Sequence, residues 1–148
     1  MPRPAAKNNN NKKKTMRPRP LSPKKAGAAG EAKLFSWNSV EREELNPLLQ
    51  RQMIVGKDVM VARMALKKGC VVPLHHHSNE QVSCMLEGSL KFSIEGKDIV
   101  LRAGEVLAIP PHVPHAAEAV EDCVALDVFH PPRKDWIKGT DKYLRGGK

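Results

Sequence analysis

An all-β domain, a sheet of short strands closed into a small double-sided barrel, is the fold this sequence predicts. Three observations predict it. From Leu48 onward almost every segment reads as a short strand ended by a turn, the pattern of a sandwich or barrel. Within those segments apolar and polar residues alternate, as Leu90, Phe92 and Ile94 do with Ser89, Lys91 and Ser93, which gives a strand one buried face. Finally, Gly69 to Gly88 (GCVVPLHHHSNEQVSCMLEG) crowds His75, His76, His77, Glu80 and Gln81 behind an apolar run. Burying so many imidazoles is unfavourable unless something binds them, and a closed barrel supplies the cavity in which a divalent metal could do so.

The chain has 148 residues and a mass of 16.4 kDa, enough for one ordinary domain and a tail. Its formal charge of +9 is unevenly placed: residues 1 to 34 carry ten Lys and Arg and one acid, and residues 35 to 148 carry fifteen of each sign. The body is therefore neutral. Residues 1–33 hold almost no large apolar side chains and scatter their Pro and Gly without period, so nothing there offsets the entropy of ordering. A disordered basic arm over 1–33 and one folded domain over 34–148 are expected. The arm has no aromatic residue to stack on bases, which argues against a nucleic-acid partner. Cys70, Cys84 and Cys123 are odd in number and lack CxxC spacing, as free thiols in a reducing compartment would be. No apolar run approaches the roughly 18 residues of a membrane span, and the N-terminus lacks a secretory apolar segment. A soluble, cytoplasmic protein without membrane attachment is expected.

Along the body, Val40 to Leu45 is expected to form a helical turn before Pro47. LLQRQMIV, Gly56-Lys57 and DVMVARMAL then make a hairpin. Val71 and Val72 lead into the histidines as a strand, on which His75 and His77 project together and His76 points away. Ser78-Asn79-Glu80 has turn chemistry, and QVSCMLE resumes as a strand whose first residue, Gln81, turns back toward the same pocket; Ser83 and Met85 share its parity. Glu80 competes with Gln81 for that role. After Glu95-Gly96-Lys97 come DIVLR and EVLAIP, a bend at Pro110 to Pro114, HAAEAV opened by His115, and CVALDVF. About nine strands are expected, with a short helix near Trp136 or Tyr143. His115 lies 34 residues beyond Gln81, far enough in a barrel to face it across the cavity as a fourth ligand.

Two short motifs then stand out. The first is Gly69, His75, His77, Gln81 and Gly88; the second is Gly104, Pro110, His112 and His115. In spacing they resemble the two motifs of the cupins, small jelly-roll or double-stranded β-helix barrels, with Gln81 where glutamate is usual and His112 where glycine is usual. With LDVFHPPRKDW added, the chain resembles the pectin-degradation cupins that linearise 4,5-unsaturated uronates. The resemblance implies one divalent metal held by His75, His77, Gln81 and His115, and active-site roles for Asp127, Phe129 and Arg133. It also implies a small anionic sugar acid as substrate and pairing as a homodimer. Three imidazoles and an amide leave a divalent ion its full charge, which suits an anion. Two other readings stay open: an iron-dependent oxygenase, and a barrel that binds a sugar acid without turnover. Trp136 and Tyr143 are expected to serve packing or dimer contacts, and His112 a turn.

Overall fold

The computed structural model describes residues 30–146; most of the basic arm expected over 1–33 lies outside them. A 3-10 turn at Trp37–Ser39 precedes ten strands: β1 Glu43–Asn46, β2 Leu49–Val55, β3 Met60–Leu66, β4 Val71–His75, β5 Glu80–Glu87, β6 Ser89–Ile94, β7 Lys97–Arg102, β8 Val106–Ile109, β9 His115–Ala119 and β10 Cys123–His130. A short helix, α1 (Lys134–Lys138), and a 3-10 turn at Lys142–Leu144 follow. Both positions anticipated for a C-terminal helix, Trp136 and Tyr143, thus fall in helical turns.

The strands form two antiparallel sheets. One runs β1-β2-β3-β10-β5-β8 and the other β4-β9-β6-β7. Strand burial follows the period of two that the side chains set: in β3, Met60, Ala62, Met64 and Leu66 are buried and their neighbours are less so, and in β6 Leu90 and Phe92 face inward. Leu49, Met85, Leu101, Ile109, Ala117, Ala125 and Phe129 complete the core between the sheets. Cys70 and Cys123 are buried free thiols and Cys84 is half-buried. No helix among the described residues is long and apolar enough to cross a membrane.

The sequence expectation fails at one place. Where Val40 to Leu45 was expected to turn as a helix, the chain enters β1, which pairs with β2 and buries Leu45. Glu and Leu favour helices only weakly. Here Asn46 Oδ1 accepts the Leu48 amide at 2.9 Å, turning the chain at Pro47, and Glu43 meets the buried Arg51 of β2. Tertiary pairing outweighs the local preference and adds the tenth strand.

Gly88 joins the sheets at the β5-to-β6 corner. Its φ is +72°, and a Cβ there would lie 2.1 Å from the carbonyl oxygen of Asp122, so no side chain fits. The close approach of that carbonyl, as much as the left-handed backbone, requires glycine.

The C-terminal segment is tied back across one end of the barrel. Arg51, fully buried on β2, forms an ion pair with Asp141, also fully buried, and its guanidinium lies 4.6 Å from the Trp136 ring centroid. Leu144 is buried, and its carbonyl accepts from Asn46 Nδ2 at 2.9 Å. These contacts fix the segment that carries Tyr143.

Candidate metal centre

Strand register delivers the candidate residues from both sheets to one end of the barrel. On β4 and β9, His75 and His115 are direct cross-strand partners. On β5, Gln81, Ser83 and Met85 point inward, and the pairing with β10 sets Ser83 opposite Asp127 and Gln81 opposite Phe129. His77 stands in the connection between β4 and β5. The turn before β9 holds that connection, because the amide of His112 donates to the His77 carbonyl at 2.7 Å from a left-handed conformation (φ 67°). His112 is therefore a turn residue, as expected, and His76 is exposed.

One ring nitrogen from each of His75, His77 and His115 lies within 4.8 Å of the others. Each ring is oriented by a main-chain carbonyl: His75 Nδ1 donates to Pro73 O at 2.7 Å, His77 Nδ1 to Asn79 O at 3.0 Å and His115 Nδ1 to Val113 O at 2.8 Å. A carbonyl only accepts, so the proton sits on Nδ1 and the Nε2 lone pair is left free. Burial lowers the pKa of all three imidazoles from 6.5, that of His75 and His77 to about 4. All three are neutral at neutral pH, the form in which an imidazole can bind a metal.

Two further details fit a cation. His115 Nε2 is buried without any partner among the described residues, which is costly unless something occupies it. Gln81 Nε2 donates to Ser83 Oγ at 2.9 Å, so its Oε1 faces His77 Nε2 at 3.1 Å. That orientation presents the amide oxygen, the end of Gln81 able to bind a cation, beside the His77 lone pair. Gln81 is buried and Glu80 exposed, so geometry favours the amide over the carboxylate.

The surrounding groups include a buried carboxyl and a buried guanidinium. Ser83 Oγ donates to Asp127 Oδ1 at 2.7 Å. Burial pushes Asp127 up from 3.8 to about 6, although the Ser83 hydrogen bond and the Arg133 charge pull the other way. Arg133 is only 2% exposed. Its Nε and Nη2 donate to Asp135 at 3.0 and 2.7 Å, and Nη2 also donates to Tyr143 Oη at 2.8 Å, while Nη1 is buried with no partner among the described residues. The guanidinium lies against the rings of both Phe129 (5.2 Å to the centroid) and Trp136 (4.6 Å).

Gln81, His75, His115, Asp127, Phe129, Arg133 and Tyr143 line one cavity of about 40 Å³, room for an ion with a few waters. Every residue anticipated as ligand or active-site group is thus gathered around this end of the barrel. Tyr143 is the residue that sequence reasoning missed. Expected as a packing or dimer contact, it instead stacks on His75 at 4.8 Å and lines the cavity. No local signal marks it, since it reaches the site through the Arg51–Asp141 tether. Trp136 lines the same cavity and packs edge-on against Phe129 at 4.9 Å.

Comparison with known proteins agrees with this architecture. The cupin domain model matches residues 62–129, from β3 to the end of the core strand β10. The chain is similar to the pectin degradation protein KdgF of Dickeya dadantii, with 28% identity over 98 residues that cover 64% of this chain and 89% of that protein. The solved structure of KdgF from Halomonas sp. superposes with a TM-score of 0.68 at 26% identity, covering 72% of this chain and 99% of that one. An RmlC-like cupin from Shewanella frigidimarina superposes with a TM-score of 0.67 at 30% identity, covering 72% and 96%. On fold, motif spacing and these similarities together, the chain belongs to the cupin family.

Proposed function

We propose that this cupin is a metal-dependent enzyme that opens the ring of 4,5-unsaturated uronates or closely related sugar acids. The observation that carries the reading is the convergence, on one cavity, of a neutral ligand set with an unpartnered buried arginine donor. His75, His77, His115 and Gln81 would hold the ion, and none of them cancels its charge. A bound divalent ion supplies Lewis acidity at a substrate oxygen. The similarity to two KdgF proteins, one of which bears pectin degradation in its name, supports the choice of substrate class.

The chain's own groups divide the remaining work. Arg133 Nη1 recognises the carboxylate with a charge-assisted hydrogen bond. Phe129 forms an apolar wall beside it. Asp127 takes the proton of the hemiacetal hydroxyl as the bond from that carbon to the ring oxygen breaks. The former ring oxygen becomes a ketone as the carbon-carbon double bond takes a proton at its far carbon, returned from Asp127. Nothing is gained or lost, and the product is the linear keto-aldehyde isomer. A carboxylate whose pKa stands near 6 is suited to take and return a proton near neutrality.

The test is to incubate metal-loaded protein with the unsaturated uronates released by a pectate or alginate lyase and follow their ultraviolet absorbance. Loss of absorbance without oxygen uptake supports the reading. Unchanged absorbance with the metal in place contradicts it.

A further inference from the structure

The hydroxyl of Tyr143 accepts two hydrogen bonds, from Arg133 Nη2 at 2.8 Å and from Trp136 Nε1 at 3.1 Å. Its own proton therefore remains to be given, and among the described residues no acceptor receives it. The adjacent guanidinium has the same surplus: Nε and Nη2 are engaged, and Nη1 is buried without a partner. Nη1 and Nη2 share one planar carbon, so the phenol and Nη1 are neighbouring donors, and both residues line the same cavity. Two donors without acceptors, one of them charged, match the two oxygens of a carboxylate. Neither group is free to turn away. Asp135 clamps the guanidinium, and the buried Arg51–Asp141 pair holds the turn that bears Tyr143. Both residues lie beyond the segment 62–129 that the family model matches.

We propose that Tyr143 is a substrate-binding residue whose hydroxyl, together with Arg133 Nη1, forms a two-donor subsite for the carboxylate of a sugar acid. The subsite rests on the functional reading above for its ligand class, and it can be tested apart from turnover. It makes the enzyme selective for the free acid over its ester, because an ester oxygen carries no charge to pair with the guanidinium. The stacking of the phenol ring on His75 at 4.8 Å places this subsite directly beside the candidate metal ligands, so an acid held here lies within reach of a bound ion.

The experiment is titration calorimetry of the metal-loaded, full-length protein with galacturonate and with its methyl ester, neither of which has the double bond needed for ring opening. Wild type is expected to prefer the acid. Tyr143→Phe keeps the ring on His75 and removes only the hydroxyl; its affinity for the acid should fall about 10- to 100-fold, the worth of a hydrogen bond to a charged group, with the ester unaffected. Arg133→Lys, which keeps the charge but not the fork, should lose the preference as well. Wild type without a preference for the acid overturns the proposal, as does Tyr143→Phe with the preference intact. Wild type that prefers the acid yet leaves unsaturated uronates unchanged sustains the subsite and removes the ring-opening reaction.

Discussion

Ser83 Oγ donates its proton to Asp127 Oδ1 at 2.7 Å and, through a lone pair, accepts from Gln81 Nε2 at 2.9 Å. One serine thus sets both the amide orientation of a candidate ligand and the environment of the candidate proton carrier. Partners of this kind fix which atom of a ligand faces the ion, and their loss commonly costs about 10- to 100-fold in metal affinity or activity. Ser83→Ala should weaken metal binding by about that factor in competition with a chelator. It should also move the acidic limb of the pH–rate profile upward, because the hydrogen bond it removes lowers the Asp127 pKa.

Asp127→Asn should retain the metal and lose turnover by about 10²- to 10⁴-fold, the usual worth of a positioned acid–base group. Metal content and rate are measured on the same preparation. An active Asp127→Asn enzyme removes Asp127 from the proton transfer.

Acidity should destabilise the metal-free protein. In the folded chain His75 and His77 have pKa values of about 4 against 6.5, so between those values the unfolded chain binds more protons. Their contribution is intact above about pH 6.5 and is lost as pH falls toward 4. Asp127, raised from 3.8 to about 6, acts in the opposite sense between those two values. Two imidazoles outweigh one carboxylate, so the urea midpoint should decline from pH 7 to pH 4.5. A midpoint that rises over that range contradicts the burial assigned to the histidines.

Asp141→Ala takes from the fully buried Arg51 its fully buried partner and leaves it Glu43 at 3.3 Å, so the cost is that of a hydrogen bond between charged groups, about 1.5–3 kcal/mol, rather than that of a charge left unpaired. The substitution should lower the melting temperature by roughly 3–12 °C, at about 2–4 °C per kcal/mol for a chain of this size. It should also weaken sugar-acid binding more than metal binding, because the released turn carries Tyr143 and no metal ligand.

Much of this was legible in the chain because strands write their geometry locally. The alternation of Leu90, Phe92 and Ile94, the turn at Gly56 and the shared parity of Gln81, Ser83 and Met85 each depend on a few neighbouring residues, whereas His77, expected on one strand with His75, stands in the connection after β4. His115 was legible for a different reason: its spacing behind Gly104 and Pro110 repeats a known motif. What escaped was set at long range. The β1 strand forms because β2 offers Arg51 to Glu43 and a place for Leu45, and nothing in EREELN states that. The placement of Tyr143 depends on an ion pair between positions 51 and 141, ninety residues apart. The unpartnered Nη1 of Arg133 is equally invisible in a sequence, since it follows from which donors its neighbours have already engaged.

The central claim is that three imidazoles and one amide from separate strands and loops enclose a single cation. Metal analysis of purified wild type and His115→Ala, followed by X-ray absorption at the edge of the metal found, tests it most directly. About one divalent ion per chain with histidine scattering is expected in the wild type, and its loss in His115→Ala. An ion retained by His115→Ala with unchanged scattering, or a wild type that binds none when divalent metals are supplied, would contradict it.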